Sequence, residues 1–355
     1  MSLKEAGQFD QALQEYAAAI ALDPENPYPH NYRGILYLLR GDYAQGLPEY
    51  EWRKKTPEKY GERDLAAPLW LGQDLSGKTL VVHHEQGMGD AIQLSRFIPY
   101  LQRRGVDVVY DAHPPLRRLL SSMGDVRFAT LGDPELRYDY HCPIASIPLA
   151  INLTLENIPR ETPYLFAEPA RVAKWREKLG REKLGREKLG RAKPGAGTFT
   201  IGVATQGSNS RWSMNRSFSL RQLVAAIDLP GLRIVSLNRQ QPGAPVESDL
   251  AEKVVFLGPE YDLGPDAFLD AAAVIDCCDL VISCDTSLAH LAGAMNRPTW
   301  VVLRDMPHWP WLLERSDSPW YPGVRLFRQK APGDWESAFA ELRQALAQRL
   351  SGDGA

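Results

Sequence analysis

The 355-residue sequence predicts an α/β protein in which two lobes of parallel strands follow an N-terminal α-helical segment. Three observations support this prediction. The first 60 residues contain a repeat, short apolar runs alternate with amphipathic stretches from about residue 78, and the same alternation begins again near residue 198. Strand–helix alternation of this kind is typical of parallel sheets that are covered by helices.

Composition and charge exclude several classes of protein. Hydrophobic residues make up 44% of the chain, and the formal net charge of −3 gives no overall field to attract nucleic acid or an anionic membrane. The four cysteines have neither a CxxC spacing nor a Cys/His cluster, which argues against a zinc site and fits a reducing compartment. No signal peptide is evident, and no apolar run approaches the ~20 residues of a membrane helix. We expect a cytoplasmic protein that binds no nucleic acid and has no transmembrane segment.

The first 60 residues repeat themselves at an offset of 34. Gly, an aromatic residue, Leu, Glu and Tyr recur between the segment that begins at Gly7 and the one that begins at Gly41. This is the period of the tetratricopeptide repeat (TPR), a pair of packed helices. The first repeat lacks its leading helix, and Gly46 and Arg53 stand where the repeat usually has Ala. We expect residues 1–60 to form a TPR-like segment that recruits a protein partner and either continues a longer array or packs on the next domain.

The α/β pattern divides into an N-terminal lobe over residues 65–175 and a C-terminal lobe over residues 198–350, which ends in a helix. The predicted strands and helices of the first lobe are Thr79–His84, Ala91–Arg104, Val106–Tyr110, Pro115–Met123 and Val126–Phe128. Those of the second lobe are Phe199–Ala204, Leu220–Ile227, Leu232–Leu237, Val254–Leu257, Asp266–Cys277, Leu280–Ser283, Thr286–Met295, Thr299–Leu303 and Asp334–Leu350. Open α/β sheets bind ligands beyond the carboxyl ends of their strands, so two Rossmann-like lobes predict a ligand in the cleft between them.

Residues 176–197 connect the two predicted lobes. The pentapeptide Arg-Glu-Lys-Leu-Gly occurs three times from Arg176, a period that matches neither a helix nor a strand. Each Gly costs a helix about 1 kcal/mol relative to Ala, and the run ends in a Pro/Gly cluster. We interpret this segment as a solvated, charged linker, with a functional charged arm as the alternative.

A glycine-rich turn follows the first predicted strand. Residues 85–90 (Glu-Gln-Gly-Met-Gly-Asp) lie between a strand and a helix, where Gly87 and Gly89 let the backbone approach a ligand closely. A helix start also offers N–H groups and a partial positive charge to an anion. Asp90 falls where a helix N-cap would lie, an interpretation that requires no function. The third glycine of the dinucleotide fingerprint is missing, which counts against NAD.

A second polar cluster follows the predicted strand that ends at Ser283. Asp285, Thr286 and Ser287 begin a helix that carries His290 one turn later. Asp285 is placed to cap this helix, whose first N–H groups form a plausible diphosphate cradle. His290 is either a ligand-binding residue or a structural residue of an Ala/Leu-rich helix. Arg216 lies in the loop after the first strand of the second lobe. Its guanidinium either binds phosphate oxygens or is exposed to solvent.

Three stretches of the sequence resemble one known family. EQGMGDAIQLSRFIPYL, DLVISCDTSLAHLAGAMNRPTWVVL and HWPWLLERSDSPWYPGVRLFRQ resemble TPR-linked proteins of the family 9 glycosyltransferase type, relatives of the lipopolysaccharide heptosyltransferases, over residues 65–345. The resemblance implies the GT-B fold. TPR followed by GT-B is similar in organisation to the protein O-GlcNAc transferases, whose motifs do not match well here.

The resemblance also implies roles for individual residues. Asp90 matches the general base that acts on the acceptor hydroxyl. The motif that holds the nucleotide-sugar diphosphate and sugar matches Asp285, Thr286, Ser287 and His290. We expect Gly87 and Gly89 to contribute to nucleotide-sugar binding through close approach of the backbone. Ser287 replaces a glycine of the family motif, which narrows the sugar site. Arg216 falls near a basic residue that faces the phosphates, in a loop of residues 204–216 that departs from the family pattern.

These residues lead to one expected function and two alternatives. We expect sugar transfer from a nucleotide-diphosphate sugar to an acceptor hydroxyl on a protein or glycan, with no cofactor. The sequence has no carboxylate pair placed for Mg²⁺ or Mn²⁺, so helix N-termini and Arg216 replace a metal in this interpretation. One alternative is an inactive scaffold or sugar-sensing module, which the altered loop favours. The other is a nucleotide-sugar epimerase, which needs no acceptor.

Overall fold

The computed structural model describes residues 7–57, 65–188, 198–207, 215–240 and 248–351. The chain forms two compact units, each made of more than one stretch of sequence. Unit 1 contains Met1–Glu161 and Met306–Trp320, and unit 2 contains Thr162–Asp305 and Tyr321–Ala355. Both are described separately below. Within the described residues, no helix is both long enough and apolar enough to cross a lipid bilayer.

Unit 1 begins with the three helices expected of a truncated TPR pair. They are α1 (Phe9–Leu22), α2 (Pro27–Leu39) and α3 (Tyr43–Tyr50), and a 3-10 turn over Glu51–Lys55 follows. Helix α2 starts at Pro27, after Asn26, whose side chain accepts a hydrogen bond from the Tyr28 amide at 3.2 Å. Asp42 caps α3 in the same way, through the Gln45 amide at 3.1 Å.

Two glycines allow α2 and α3 to cross closely. A Cβ atom at Gly34 would lie 2.7 Å from the Tyr50 nitrogen, and one at Gly46 would lie 2.7 Å from Leu38 Cγ. Gly46, at a position where the repeat usually has Ala, therefore permits the close packing of α2 and α3.

The sheet of unit 1 has four parallel strands in the order β3-β2-β1-β4. The strands are β1 (Thr79–His83), β2 (Asp107–Asp111), β3 (Arg127–Phe128) and β4 (Tyr140–Pro143). The helices are α4 (Met88–Leu94), α5 (Phe97–Gln102), α6 (Arg117–Leu120) and α7 (Ile147–Ala150). The helix predicted over 91–104 is thus two helices, because Pro99 lacks the N–H that would continue the ladder back to Ser95. Strand β4 was not predicted, since its polar residues and proline resemble a loop.

One late stretch of the chain completes unit 1. Residues 306–320, here called the tryptophan segment, contain Trp309, Trp311 and Trp320, all of them buried. The Trp309 ring meets Tyr43 of α3 edge-on, with centroids 5.8 Å apart. Arg96 donates a hydrogen bond of 2.6 Å to the Trp320 carbonyl oxygen. The tryptophan segment is therefore part of the core of unit 1.

Unit 2 contains a six-stranded parallel sheet in the order β10-β9-β8-β5-β6-β7. Its strands are β5 (Phe199–Ala204), β6 (Leu232–Ser236), β7 (Val254–Phe256), β8 (Leu280–Cys284), β9 (Thr299–Leu303) and β10 (Val324–Arg328). Its helices are α8 (Pro169–Lys188), α9 (Leu220–Ala226), α10 (Ser248–Lys253), α11 (Leu269–Asp276), α12 (Ser287–Ala294) and α13 (Trp335–Ser351). The predicted α/β class, with two Rossmann-like sheets behind a helical segment, is confirmed. The edge strand β10 was not predicted.

The interpretation of residues 176–197 as a linker is wrong over 176–188, where the chain continues helix α8. Trp175 and Leu179 are buried, and the Trp175 indole N–H donates to Asp270 of α11 at 2.8 Å. Lys178 donates to the Leu257 carbonyl oxygen at 2.7 Å. The apolar positions 172, 175 and 179 form one helical face, which the five-residue repeat does not interrupt. Residues 189–197 lie outside the described residues.

Two neighbouring substitutions test whether the first pentapeptide is packed. Leu179→Ala should lower the free energy of unfolding by about 2–4 kcal/mol, because it leaves a cavity beneath α8. Gly180 is exposed, and a Cβ atom there meets nothing within 4 Å. Gly180→Ala should therefore raise the free energy of unfolding by about 1 kcal/mol. Urea unfolding of both variants measures the difference. Equal, near-zero changes would support a solvated linker instead.

Candidate functional site

The glycine-rich turn of unit 1 lies at the carboxyl end of β1. Gly87 is the N-cap of α4, and Asp90 occupies the third helical position, where one carboxylate oxygen accepts a hydrogen bond of 3.2 Å from the Gly87 amide. The prediction that Asp90 lies at the N-cap is therefore wrong by three residues. Gly89 and Asp90 are partly exposed. The bond to Gly87 orients an accessible carboxylate at the edge of the sheet.

Glu85, two residues after the end of β1, is buried, in contrast to the partly exposed Asp90. Both of its side-chain oxygens accept hydrogen bonds from Arg53, at 3.0 and 2.8 Å. The Ala145 amide donates to one of them as well, at 2.9 Å. Sequence analysis missed this pair; the only signal was Arg53 itself, at a position where TPR usually has Ala.

Arg53 connects the TPR segment to this turn. Its guanidinium also donates to Glu51 at 2.6 Å, to Ser146 at 2.8 Å and to the Tyr50 carbonyl oxygen at 3.1 Å. Burial alone would lower the pKa of Arg53, but Glu85 and Glu51 outweigh it and raise that pKa above its usual value. Burial likewise acts to raise the pKa of Glu51, and the cations Arg53 and Lys54 reverse this, leaving it lowered. Arg53 and Glu51 therefore both stay ionised.

The second predicted cluster lies where β8 ends in unit 2. Asp285 is buried, while Thr286 and Ser287 are partly exposed. Thr286 has an extended backbone at the N-cap of α12, and its side chain makes no capping hydrogen bond. The prediction that Asp285 caps this helix is wrong, because the cap position belongs to Thr286. The eight-residue helix α12 thus starts at the sheet edge without a capping hydrogen bond from the Thr286 side chain.

Arg216 belongs to the same edge of the unit 2 sheet. Ala204, the last residue of β5, is in register with Ser283 of β8, so the residues after both strands meet at one edge. A Cβ atom at Gly207 would lie 2.6 Å from Arg216 Nε, so the Arg216 side chain lies directly against this glycine. Burial, followed by the charge of Asp285, raises the pKa of Cys284 to about 12, and Arg216 opposes this shift. Residues 208–214 of the loop lie outside the described residues.

His290 points into unit 2 from α12. It is buried, and its Nδ1 lies 3.0 Å from the hydroxyl of Tyr321. The Tyr321 ring also packs against Gly293, where an added Cβ atom would approach it to 2.7 Å. Sequence analysis missed Tyr321, although it stands in the third stretch that resembles the family. The structure places Arg216, Asp285, Thr286, Ser287 and His290 in unit 2, and Gly87, Gly89 and Asp90 in unit 1.

Comparisons with known proteins bear on the family and the fold. A family model described as TPR repeat matches residues 2–41, and one described as glycosyltransferase family 9 (heptosyltransferase) matches residues 251–305. Escherichia coli ADP-heptose LPS heptosyltransferase II aligns over 78% of this chain and 100% of its own, with a TM-score of 0.51 and 14% identity. A family 9 glycosyl transferase from Veillonella parvula aligns over 79% and 98%, with a TM-score of 0.50 and 13% identity.

The chain is similar to TPR-linked glycosyltransferases of family 9. At these identities, the two solved structures establish the fold alone. The chain is also 27% identical over 377 residues to protein FlbA of Caulobacter vibrioides, a match that covers 96% of the chain and 59% of FlbA. This family 9-like chain thus spans less than two thirds of that relative. Within the described residues, no three or more His, Cys, Asp or Glu side chains are grouped to hold a metal ion.

Proposed function

We propose that the protein transfers a sugar from a nucleotide-diphosphate sugar to an acceptor hydroxyl. One observation carries this proposal: a guanidinium and the N-terminus of a helix both lie at the carboxyl edge of the unit 2 sheet. They are Arg216, beside Gly207, and the N-terminus of α12 at Thr286. The segment of residues 251–305 that matches family 9 contains the helix.

The chemistry of this edge suits a diphosphate. The first N–H groups of a helix and its partial positive charge bind anions, and a guanidinium donates paired hydrogen bonds to phosphate oxygens. Both groups would stabilise the charge that develops on the leaving nucleoside diphosphate. Ser287, at the first turn of α12, narrows the space beside the sugar, and the hydroxyl of Tyr321 orients the His290 ring.

Asp90 supplies the base in this proposal. As the acceptor oxygen bonds to the anomeric carbon, its proton passes to the Asp90 carboxylate. The bond from that carbon to the phosphate oxygen breaks, and the nucleoside diphosphate leaves with the electron pair. The hydrogen bond from the Gly87 amide holds the carboxylate in one orientation, as a general base requires.

A similar protein points to the class of donor, and the TPR segment points to how the acceptor is recruited. The similar Escherichia coli protein is described as an ADP-heptose heptosyltransferase, so ADP-linked sugars are the first donors to test. The acceptor is a hydroxyl of a protein or glycan, and the TPR segment is the surface that recruits it or a partner that carries it.

Donor binding tests the proposal. A thermal-shift screen should find that one of the ADP-, UDP- or GDP-sugars stabilises the protein by about 2.7 kcal/mol at about 100 times its dissociation constant. Arg216→Gln should weaken that donor about 10-fold to 100-fold, because a charged hydrogen bond contributes about 1.5–3 kcal/mol.

Arg221→Gln is the matched control, since Arg221 pairs with Asp249 on the surface of the same unit. Its donor affinity should equal that of the wild type. No shift with any of the three donor classes, or equal losses in both variants, would contradict the proposed site. Donor turnover without any acceptor, to an altered nucleotide sugar, would indicate an epimerase.

A further inference from the structure

We infer that Tyr50 and Arg53, at the end of the TPR segment, are positioning residues for the turn that carries Asp90. The inference rests on the proposed role of Asp90 as the base. The TPR segment is then part of the acceptor-side machinery of unit 1, in addition to any partner that it recruits.

The backbone of the turn needs external support at Gln86. This residue has φ of 60°, in the left-handed region that residues with a side chain rarely adopt. Conformations of this kind persist where surrounding contacts hold them. The Gln86 side-chain amide donates a hydrogen bond of 2.6 Å to the hydroxyl of Tyr50, which is the final residue of α3.

The residue before it is held by the same part of the TPR segment. Arg53 binds both oxygens of Glu85, so two consecutive residues of the turn are fixed from the α3 end. The negative charge of Asp90 also acts on the Tyr50 hydroxyl. Burial is the main reason that the pKa of Tyr50 is raised, and the negative charge of Asp90 adds to it.

Tyr43 provides an internal comparison on the same helix. Tyr43 and Tyr50 lie two turns apart on α3, are both buried, and both contact the Trp309 ring edge-on, at 5.8 and 6.2 Å. Within the described residues, the hydroxyl of Tyr43 has no hydrogen-bond partner, whereas that of Tyr50 accepts a hydrogen bond from the turn. Removing each hydroxyl therefore separates packing from positioning.

Two variants of the full chain, Tyr50→Phe and Tyr43→Phe, test the inference. The donor that gives the largest thermal shift serves as substrate, and release of nucleoside diphosphate is measured. Tyr50→Phe should lower kcat about fivefold with unchanged donor affinity, the factor that corresponds to about 1 kcal/mol of lost hydrogen bonding. Tyr43→Phe should keep the wild-type kcat.

Hydrogen–deuterium exchange provides a readout that does not depend on activity. Amides of residues 84–90 should exchange about fivefold faster in Tyr50→Phe, and at the wild-type rate in Tyr43→Phe. If no donor binds, the proposed function fails, and exchange alone still decides the inference. Equal exchange in both variants, or an active Tyr50→Phe with unchanged kcat, would overturn it.

Discussion

Asp90→Asn is expected to lower the rate of sugar transfer by about 10²-fold to 10⁴-fold, the contribution of a positioned general base. Asn retains a carbonyl oxygen that can accept the hydrogen bond from the Gly87 amide, so α4 should start as before. Only the basic carboxylate is lost. Donor affinity and melting temperature should therefore match the wild type, and transfer kinetics with donor binding measured in parallel test this.

Asp42→Asn is the control for this change. Asp42 is also a carboxylate of unit 1 that accepts a backbone N–H at a helix start, that of Gln45. Its replacement should leave the transfer rate unaltered. A normal rate in Asp90→Asn would reduce Asp90 to a structural residue of α4 and remove the proposed mechanism.

Arg53→Met is expected to lower the free energy of unfolding by about 3–5 kcal/mol, because it leaves a buried charge without its partner. Glu85 is held by both of its oxygens against Arg53, and only 1% of either side chain is exposed. Glu51 keeps its ion pair with Lys54, at 2.6 Å, so Glu85 carries most of the effect. Urea unfolding, followed by tryptophan fluorescence, measures the loss.

The double variant Arg53→Met/Glu85→Met should recover part of that stability, since replacing both members of a buried pair by apolar residues is often nearly neutral. Arg127→Met is the surface control. Arg127 pairs with Asp107 at 2.9 Å, with 55% and 51% of the side chains exposed, so its loss should cost less than about 1 kcal/mol. If the double variant were no more stable than Arg53→Met, the buried charge would not be the cause.

Local signals in the sequence predicted most of the strands and both polar clusters. Strands such as β1 and β8 are continuous apolar runs that pass directly into glycine or polar residues, and this pattern needs no knowledge of distant contacts. The period of 34 likewise identified the TPR helices. Helix α8 was missed because its packing depends on partners far along the chain, such as Asp270 for Trp175.

The buried network at Arg53 could not be predicted for the same reason. Its partners, Glu85 and Ser146, lie 32 and 93 residues away in sequence. Tyr321 reaches His290 across 31 residues. Side chains that position a site from another element leave no local period or motif, so only the fold brings them into view.

The tryptophan segment affects how the protein folds during its synthesis on the ribosome. Unit 1 draws part of its core from residues 306–320, which are made only after all of β5 to β9. Synthesis proceeds at about 5–20 residues per second. The tryptophans are therefore added on the order of ten seconds after the TPR segment and the first sheet have been made. During that time the surfaces that later receive Trp309, Trp311 and Trp320 are uncovered. No single cut in the chain separates the two units, and a fragment that ends at residue 161 should expose the same apolar surface permanently.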